Sequence, residues 1–488
     1  MDPAIQFAED STYHILLGSI SAVAVSATVA AFVIPRISRR IFPSPKETHL
    51  SDFLPFESFH PDGRTVVMKD GTLARYFYIA GSDQSFMAEQ EALATAQLRR
   101  DFLDAISENN VVARIFTIRR RIDIARNDEF PNPLAQEIAG RWNAQFQNAF
   151  KTLNIICLSA RSGQHERLTE SEQSLMSTLG RFGAYPISLE QKDNPERLTL
   201  GEVLGEQTAP VTRPKPEGLG NNLADVLSSD VIWFRPDGIF EVTGGSEKKY
   251  GLIIGIKKLA DDTNPLLAQE IASLPMELSV MRYIRPMGKS EALLKLEQHG
   301  RLAVQTSLGS GVEEQFEAAK TFVEGIDEDR SALCAYNEGI FVYADSIEAL
   351  EANERRIRQI ISGYGASPVR EAGASQATWF LQFPSYTLMP RPYNLFSYNI
   401  AFNYTLDRPA VGFSKSDWGE GPIALFQTTS NTVYQHQFHI DDQPTSVGHG
   451  VVIAPTNSGK TVLMEFLSLM ASRHRNLKHF FFDRYQGT

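Results

Sequence analysis

Cysteine is nearly absent: two residues in 488, Cys157 and Cys334, far apart in the chain. That excludes a zinc cluster or a redox pair built from neighbouring thiols. Each cysteine sits in an apolar run, Ile155-Ile156-Cys157-Leu158 and Ala332-Leu333-Cys334-Ala335, which predicts two buried thiols in a reducing compartment. Excess positive charge is lacking too. Lys and Arg number 47 against 58 Asp and Glu, a formal net charge of -11. Such a balance disfavours non-specific binding to nucleic acid and leaves room only for a local basic groove. Long apolar runs are missing with one exception, Ile15 to Ile34, where no residue is charged. The rest is an ordinary globular mixture, 42% hydrophobic and 22% charged, with length for two to four domains.

The exceptional run has the length of a membrane span, since about 20 helical residues cover about 30 Å. Its small residues, among them Gly18, Ser19, Ser21, Ala22, Ser26 and Ala30, suit helix packing. Asp2, Glu9 and Asp10 precede it, and Arg36, Arg39, Arg40 and Lys46 follow. By the positive-inside rule the sequence predicts a single-pass anchor with the long C-terminal part in the cytoplasm. A cleavable leader fits poorly, because the residues before the run are acidic rather than basic.

Residues 1–45 therefore read as anchor and linker, with Pro35, Pro43 and Pro45 ending the helix. Residues 46–375 read as an α+β domain. Arg64–Met68 and Leu73–Ile79 form a hairpin around Lys69-Asp70-Gly71. A helix follows over 89–106, then strands at Val111–Ile118 and Ile155–Ala160. Gly205–Asn222, rich in Pro and Gly, reads as a loop or subdomain linker. After it come a strand at Tyr250–Ile256, a helix at Pro265–Leu274 capped by Asn264, and strands Ala332–Tyr336 and Ile340–Tyr343 flanking a turn at Asn337-Glu338-Gly339. The helix Ile347–Tyr364 turns Leu350, Ile357 and Ile361 inward. The two halves share an element order without a visible sequence repeat. Arg114 and Arg119-Arg120-Arg121 read as a solvated strand face paired with acids. The aromatic, proline-rich stretch Trp379–Tyr404 reads as a packed connection to a last domain, residues 376–488.

That last segment carries Ala454-Pro455-Thr456-Asn457-Ser458-Gly459-Lys460-Thr461. It matches the phosphate-binding pattern G-x-x-x-x-G-K-[ST] at every fixed position but the first, where Ala stands for Gly. Backbone N–H groups must converge on phosphate oxygens, so the loop needs unusual φ values, which Gly459 supplies and Asn457 tolerates. Lys460 is the candidate for the phosphate charge and the catalytic residue; Thr461 is the candidate Mg²⁺ ligand; Val462 continues into a helix whose N-terminus faces the anion. Val451–Ala454 before the loop and Lys478–Phe482 after the helix read as parallel strands, with Phe480–Phe482 buried, Asp483 at the strand end, and Leu463, Phe466, Leu467 and Met470 as the inward helix face. His449 reads as a turn histidine. The expected cofactors are ATP and Mg²⁺. No second acidic strand follows before Thr488, so a piece of a longer ATPase domain is expected, a truncated motor being the alternative.

Leu54-Pro55, Met68-Lys69-Asp70-Gly71-Thr72-Leu73, Trp379–Pro384, Trp418-Gly419, Thr428-Thr429-Ser430, Gly448-His449, the loop at 454–461 and Phe481-Phe482-Asp483-Arg484, in that order, resemble the CagE/TrbE/VirB family of type IV secretion ATPases. The resemblance covers about 52–488. It implies a RecA-like motor at the bacterial inner membrane, hexameric, working with other components of a type IV secretion system on DNA or protein cargo. That family's Walker B acid, catalytic glutamate and arginine finger have no counterpart among these residues. The expectation is thus an ATP-driven motor subunit. The alternatives are a DNA-pumping translocase or coupling protein, which needs a basic channel, and a non-enzymatic assembly scaffold.

Overall fold

The computed structural model describes residues 49–482, apart from 84–86, 123, 125–127, 192–196, 219, 221, 261–262, 306–318, 326–330, 417, 440–447 and 475. The expected membrane span at 15–34 and Asp483 lie outside the described residues. Among the described residues no helix is long and apolar enough to cross a membrane.

Alternating β-branched and aromatic residues give a run of strands interrupted by amphipathic helices. After a short α1 (Leu50–Phe53) come β1 (Phe56–Phe59), β2 (Thr65–Met68) and β3 (Leu73–Ile79). Next are α2 (Glu89–Glu108), β4 (Val112–Ile122), α3 (Pro133–Asn143), β5 (Ala149–Ala160), α4 (His165–Leu179) and β6 (Ala184–Pro186). Two helices, α5 (Leu200–Thr208) and α6 (Leu223–Leu227), lead into a second series. It comprises β7 (Val231–Phe234), β8 (Ile239–Gly244), β9 (Glu247–Lys258), α7 (Pro265–Ala272), β10 (Glu277–Pro286), α8 (Lys289–Gln305), β11 (Leu333–Ala344), α9 (Ile347–Gly363) and β12 (Ser367–Arg370). Helix starts follow local chemistry. Asn132 and Asn264 accept from the N–H two residues on, each with Pro at the first helical position. Thr199 and Glu202 cap α5 reciprocally.

All these strands form one antiparallel sheet in the order β1-β2-β3-β5-β4-β10-β11-β9-β8-β7. The order within the first series, 1-2-3-5-4, is repeated as 7-8-9-11-10 in the second. Even the outliers correspond, since β6 pairs with β3 and β12 with β9. The halves join through β4 and β10, which run antiparallel from Leu278 opposite Arg119 to Ile284 opposite Ala113. The shared element order is thus a duplicated frame about a central strand pair.

The sheet continues beyond residue 375. Strand β13 (Tyr393–Phe396) pairs with β11, and α11 (Ser397–Asn403) packs on α2. Between β12 and β13, α10 (Ser375–Leu381) lays Trp379, fully buried, on one sheet face, where it meets residues of both halves from Phe56 to Phe341. The other face is covered by α2 and α4 over the first half, through Phe102, Ile106, Leu168 and Leu175, and by α7 and α9 over the second, through Ile271, Leu350, Ile357 and Ile361. Both cysteines are free and buried.

Two expectations are corrected. Ala332–Tyr343 is not a hairpin: β11 is continuous, laddered by β10 on one side and β9 on the other. Two ladders outweigh the turn propensity of Asn337-Glu338-Gly339, and tertiary contacts occupy those residues. Asn337 Nδ2 donates to Arg391 O at 2.9 Å, Tyr336 OH donates to Glu338 at 2.6 Å, and a Cβ at Gly339 would stand 3.0 Å from Thr378 Cγ2. Nor is β4 a solvated arginine face. Arg114 and Arg119 are each 1% exposed. Arg114 donates to the carbonyls of Leu381 (2.9 Å) and Tyr386 (2.7 Å) and lies 4.9 Å from the Tyr283 ring. A central strand is covered on both faces, so its cations must donate to carbonyls or pair with acids. Arg120 is paired with Glu206, and Arg121, half exposed, lies 3.5 Å from Asp345.

Candidate functional site

After α11 the chain forms small ladders, β14 (Lys415–Ser416) with β15 (Gly419–Glu420), and β16 (Ala424–Gln427) with β17 (Val433–His436). It then reaches the loop Ala454–Thr461 and α12 (Lys460–Ala471). Within the loop Asn457 has φ 62° and Gly459 φ 87°, both left-handed. Gly459 is the N-cap of α12, and its carbonyl accepts from Leu463 N at 2.9 Å. A left-handed residue at the cap turns the chain sharply, so the loop and the first helical turn form one exposed bend. Space around the Gly459 Cα is open, with no atom within 4 Å of where a Cβ would stand. Ser458 Oγ donates to Pro455 O at 2.7 Å. Lys460 Nζ donates to the carbonyls of Ala454 and Pro455, both at 2.7 Å, which holds the ammonium across the loop. Pro455, Thr456, Asn457, Ser458, Gly459, Thr461 and Val462 are exposed, and Ala454 and Lys460 half-buried. The residues singled out from the sequence thus lie on one accessible bend at the start of a 12-residue helix. The donor set fits a phosphate ester with its magnesium: two left-handed positions, a helix N-terminus, one ammonium and one hydroxyl at Thr461.

The flanking strands are not formed. Residues 451–455 and 477–482 are irregular. Val451 is 83%, Ile453 90%, Phe480 78% and Phe482 97% exposed, so the expected buried Phe480–Phe482 strand is corrected. A β-strand needs a laddered neighbour, and no described strand pairs with either run. His449 is exposed in the loop before them.

What seats α12 was not legible in the sequence. Its inward face meets α3 and β16: Leu467, Met470 and Ala471 pack with Ala139, Ile423 and Ala424. Phe466 lies 4.7 Å, ring to ring, from Trp142, whose indole N–H donates to Leu425 O at 2.8 Å. Arg473, just past the helix, is 2.9 Å from Asp128. The helix periodicity foretold Phe466, Leu467 and Met470 as the inward face, but nothing local pairs them with a helix over 300 residues earlier.

A mixed α/β sheet domain thus leads to a glycine–lysine–threonine bend at a helix N-terminus. Comparison with known proteins narrows the class. Residues 201–391 match the model described as the CagE, TrbE, VirB family, component of type IV transporter system, and residues 64–159 match the type IV secretion system ATPase VirB4/TrbE, N-terminal domain. The chain belongs to this family. The two matched stretches fall one in each half of the duplicated sheet. The type IV secretion system protein virB4 of Bartonella henselae is 24% identical over 323 residues, 66% of this chain and 40% of that protein. The protein of the same name from Bartonella quintana is 23% identical, covering 75% and 46%. Protein virB4 of Agrobacterium fabrum is 22% identical over 463 residues, covering 86% and 55%. The chain spans about half the length of these curated relatives.

Proposed function

We propose that this protein is a nucleotide-hydrolysing motor subunit of a type IV secretion or conjugation system, and that the bend Ala454–Thr461 is where ATP with Mg²⁺ binds. The observation that carries the reading is the left-handed Gly459 capping α12, with Lys460 and Thr461 as the first two helical residues, downstream of both family-matched stretches. Bound ATP–Mg²⁺ supplies the phosphoryl-transfer energy. The chain's part is to hold and orient. The loop N–H groups and the α12 N-terminus would hold the phosphates, Lys460 would offset their charge, and Thr461 would offer its hydroxyl to the metal. The inward face of α12 is clamped to α3 through Trp142 and Phe466, so a change at the loop is passed to the sheet domain.

The same reading makes the residues after α11, rather than all of 376–488, the start of a RecA-like domain, since 376–403 pack in the sheet domain, with Val451–Ile453 and Phe480–Phe482 as strands that need further parallel neighbours. Their exposure fits it. It also includes a single-pass anchor at 15–34 in the inner membrane, a cytoplasmic soluble part, a hexamer, and other secretion components as partners. Release from membranes by alkaline carbonate would sink the anchor. The motor is tested by Lys460→Ala in the complete protein in its host. Loss of ATP hydrolysis and of substrate transfer, with normal protein level, is the expected result; unchanged transfer would overturn the proposal.

A further inference from the structure

The seam between the two halves encloses a polar cavity with about 30 Å³ of room for the centres of water-sized atoms. On the scale of roughly 10–15 Å³ per water, that is space for two or three waters and too little for a nucleotide. Its wall is formed where β4 meets β10 and by α5. Arg119, Arg120, Arg213 and Lys249 face Glu206 and Glu277, so four cations meet two carboxylates. Glu206 is shared by Arg120 and Arg213 (3.2 Å), and Glu277 by Lys249 (2.5 Å) and Arg213 (3.7 Å). Among the described residues no carboxylate pairs with Arg119. Its guanidinium donates to Thr152 Oγ1 and to the carbonyls of Ala272, Leu274 and Ser430. Burial alone pulls it down to about 10, as expected for a cation without a counter-charge. Lys151 and Glu202, the next charges out, are one of each sign. Asp230, facing Tyr343, is already held by the N–H groups of Val211 and Thr212.

Two amides point the same way. Gln207, 5% exposed, lines the cavity with neither its nitrogen nor its oxygen bonded, and Gln382, 6% exposed, lines it with its nitrogen unbonded. The Nε of Arg120 is also unbonded. Buried donors left in this state are costly unless something accepts from them.

We infer that this cavity is a binding site for one small tetrahedral oxyanion of the phosphate class. The anion balances the excess cations and accepts from the amide nitrogens of Gln207 and Gln382 and from Arg120 Nε. The site is separate from the loop at 454–461. It reports to the neighbourhood of that loop through Arg119, which holds the carbonyl of Ser430 in the turn between β16 and β17.

The test uses the full chain carrying Lys460→Ala, so that the loop does not contribute, and inorganic phosphate as probe in isothermal titration calorimetry at constant ionic strength with chloride. One phosphate per chain is expected to bind. Adding Gln207→Leu or Gln382→Leu should weaken binding at least about tenfold while raising the melting temperature without phosphate, because an unbonded amide is replaced by an apolar group of similar size. Absence of phosphate binding in the Lys460→Ala protein overturns the inference. So does parental affinity in both glutamine variants. If instead Lys460→Ala binds phosphate and yet hydrolyses ATP as before, the proposed motor fails while the oxyanion site stands.

Discussion

The two halves of the sheet have the same strand order and opposite assignments in their connections. In the first, the segment between β4 and β5 is α3, whose Trp142 and Ala139 receive α12, the helix that follows the loop at 454–461. In the second, the corresponding segment between β10 and β11 contains α8, which packs Ala292 and Leu296 locally beside Leu333 and leaves Leu294 56% exposed. The strands differ as well. Those of the first half contain no glycine, whereas β8, β9 and β11 carry Gly244, Gly251, Gly255 and Gly339. At Gly251 an added Cβ would stand 2.4 Å from the Phe240 ring, and at Gly339 it would press on α10. The frame is duplicated, but the first half seats α12 and the second admits the buried Trp379 helix. The halves differ in their connections, which diverge more freely than laddered strands.

That comparison can be broken in graded steps. Trp142→Ala should have the largest effect, removing the Phe466 contact and the bond to Leu425 O. A fully buried Trp costs about 3–5 kcal/mol and this one is half-buried, so about 2 kcal/mol is expected, concentrated on α12. Hydrogen exchange over 460–471 should accelerate roughly 30-fold while β4 and β5 keep their protection. Equal acceleration throughout the sheet would mean the seat is not a local device. Gly339→Ala should cost about 1–3 kcal/mol through overpacking against Thr378, read as a lower urea midpoint with unchanged slope. Leu294→Ala, the matching change on α8, should stay within about 0.5 kcal/mol in the same urea titration. A loss as large as that of Trp142→Ala would erase the asymmetry.

The smallest signal comes from the thiols, one on each of the corresponding strands β5 and β11. Burial pushes Cys157 up to about 11 and Cys334 higher still, the latter also by Asp104. At neutral pH both are protonated and enclosed, so iodoacetamide should label neither in the native protein. In rising urea both should become reactive in one transition, because the β4–β10 ladder makes the halves a single cooperative sheet. Labelling of one thiol at clearly lower urea would show two separately folding halves.

Local chemistry made much of this readable beforehand. The caps at Asn264 and Pro265, the Lys69-Asp70-Gly71 turn and the apolar face of α9 are signals within a few residues, and they hold. The errors share a cause. Asn337-Glu338-Gly339 has turn composition, but ladders on both sides kept it extended. Arg114 and Arg119 look like surface charges until the carbonyls of Leu381 and Ala272 come up against them from residues 150 or more away. The repetition of the frame was visible as element order and invisible as sequence, because a strand pair constrains residue size and polarity more than identity. The loop at 454–461 was the most legible part of the candidate site, since its pattern is dictated by backbone geometry. Its seat on Trp142 and Arg473 was not, since nothing local joins two such distant segments.

The most direct test of the central claim is calorimetric titration of the full chain with ATP–Mg²⁺, in parallel with Lys460→Ala. The account predicts one ATP bound per wild-type chain, dependent on Mg²⁺, with affinity falling at least about 100-fold in Lys460→Ala, the loss expected for a charge-assisted contact to phosphate. Absence of binding by the wild type, or equal binding by the variant, would contradict it.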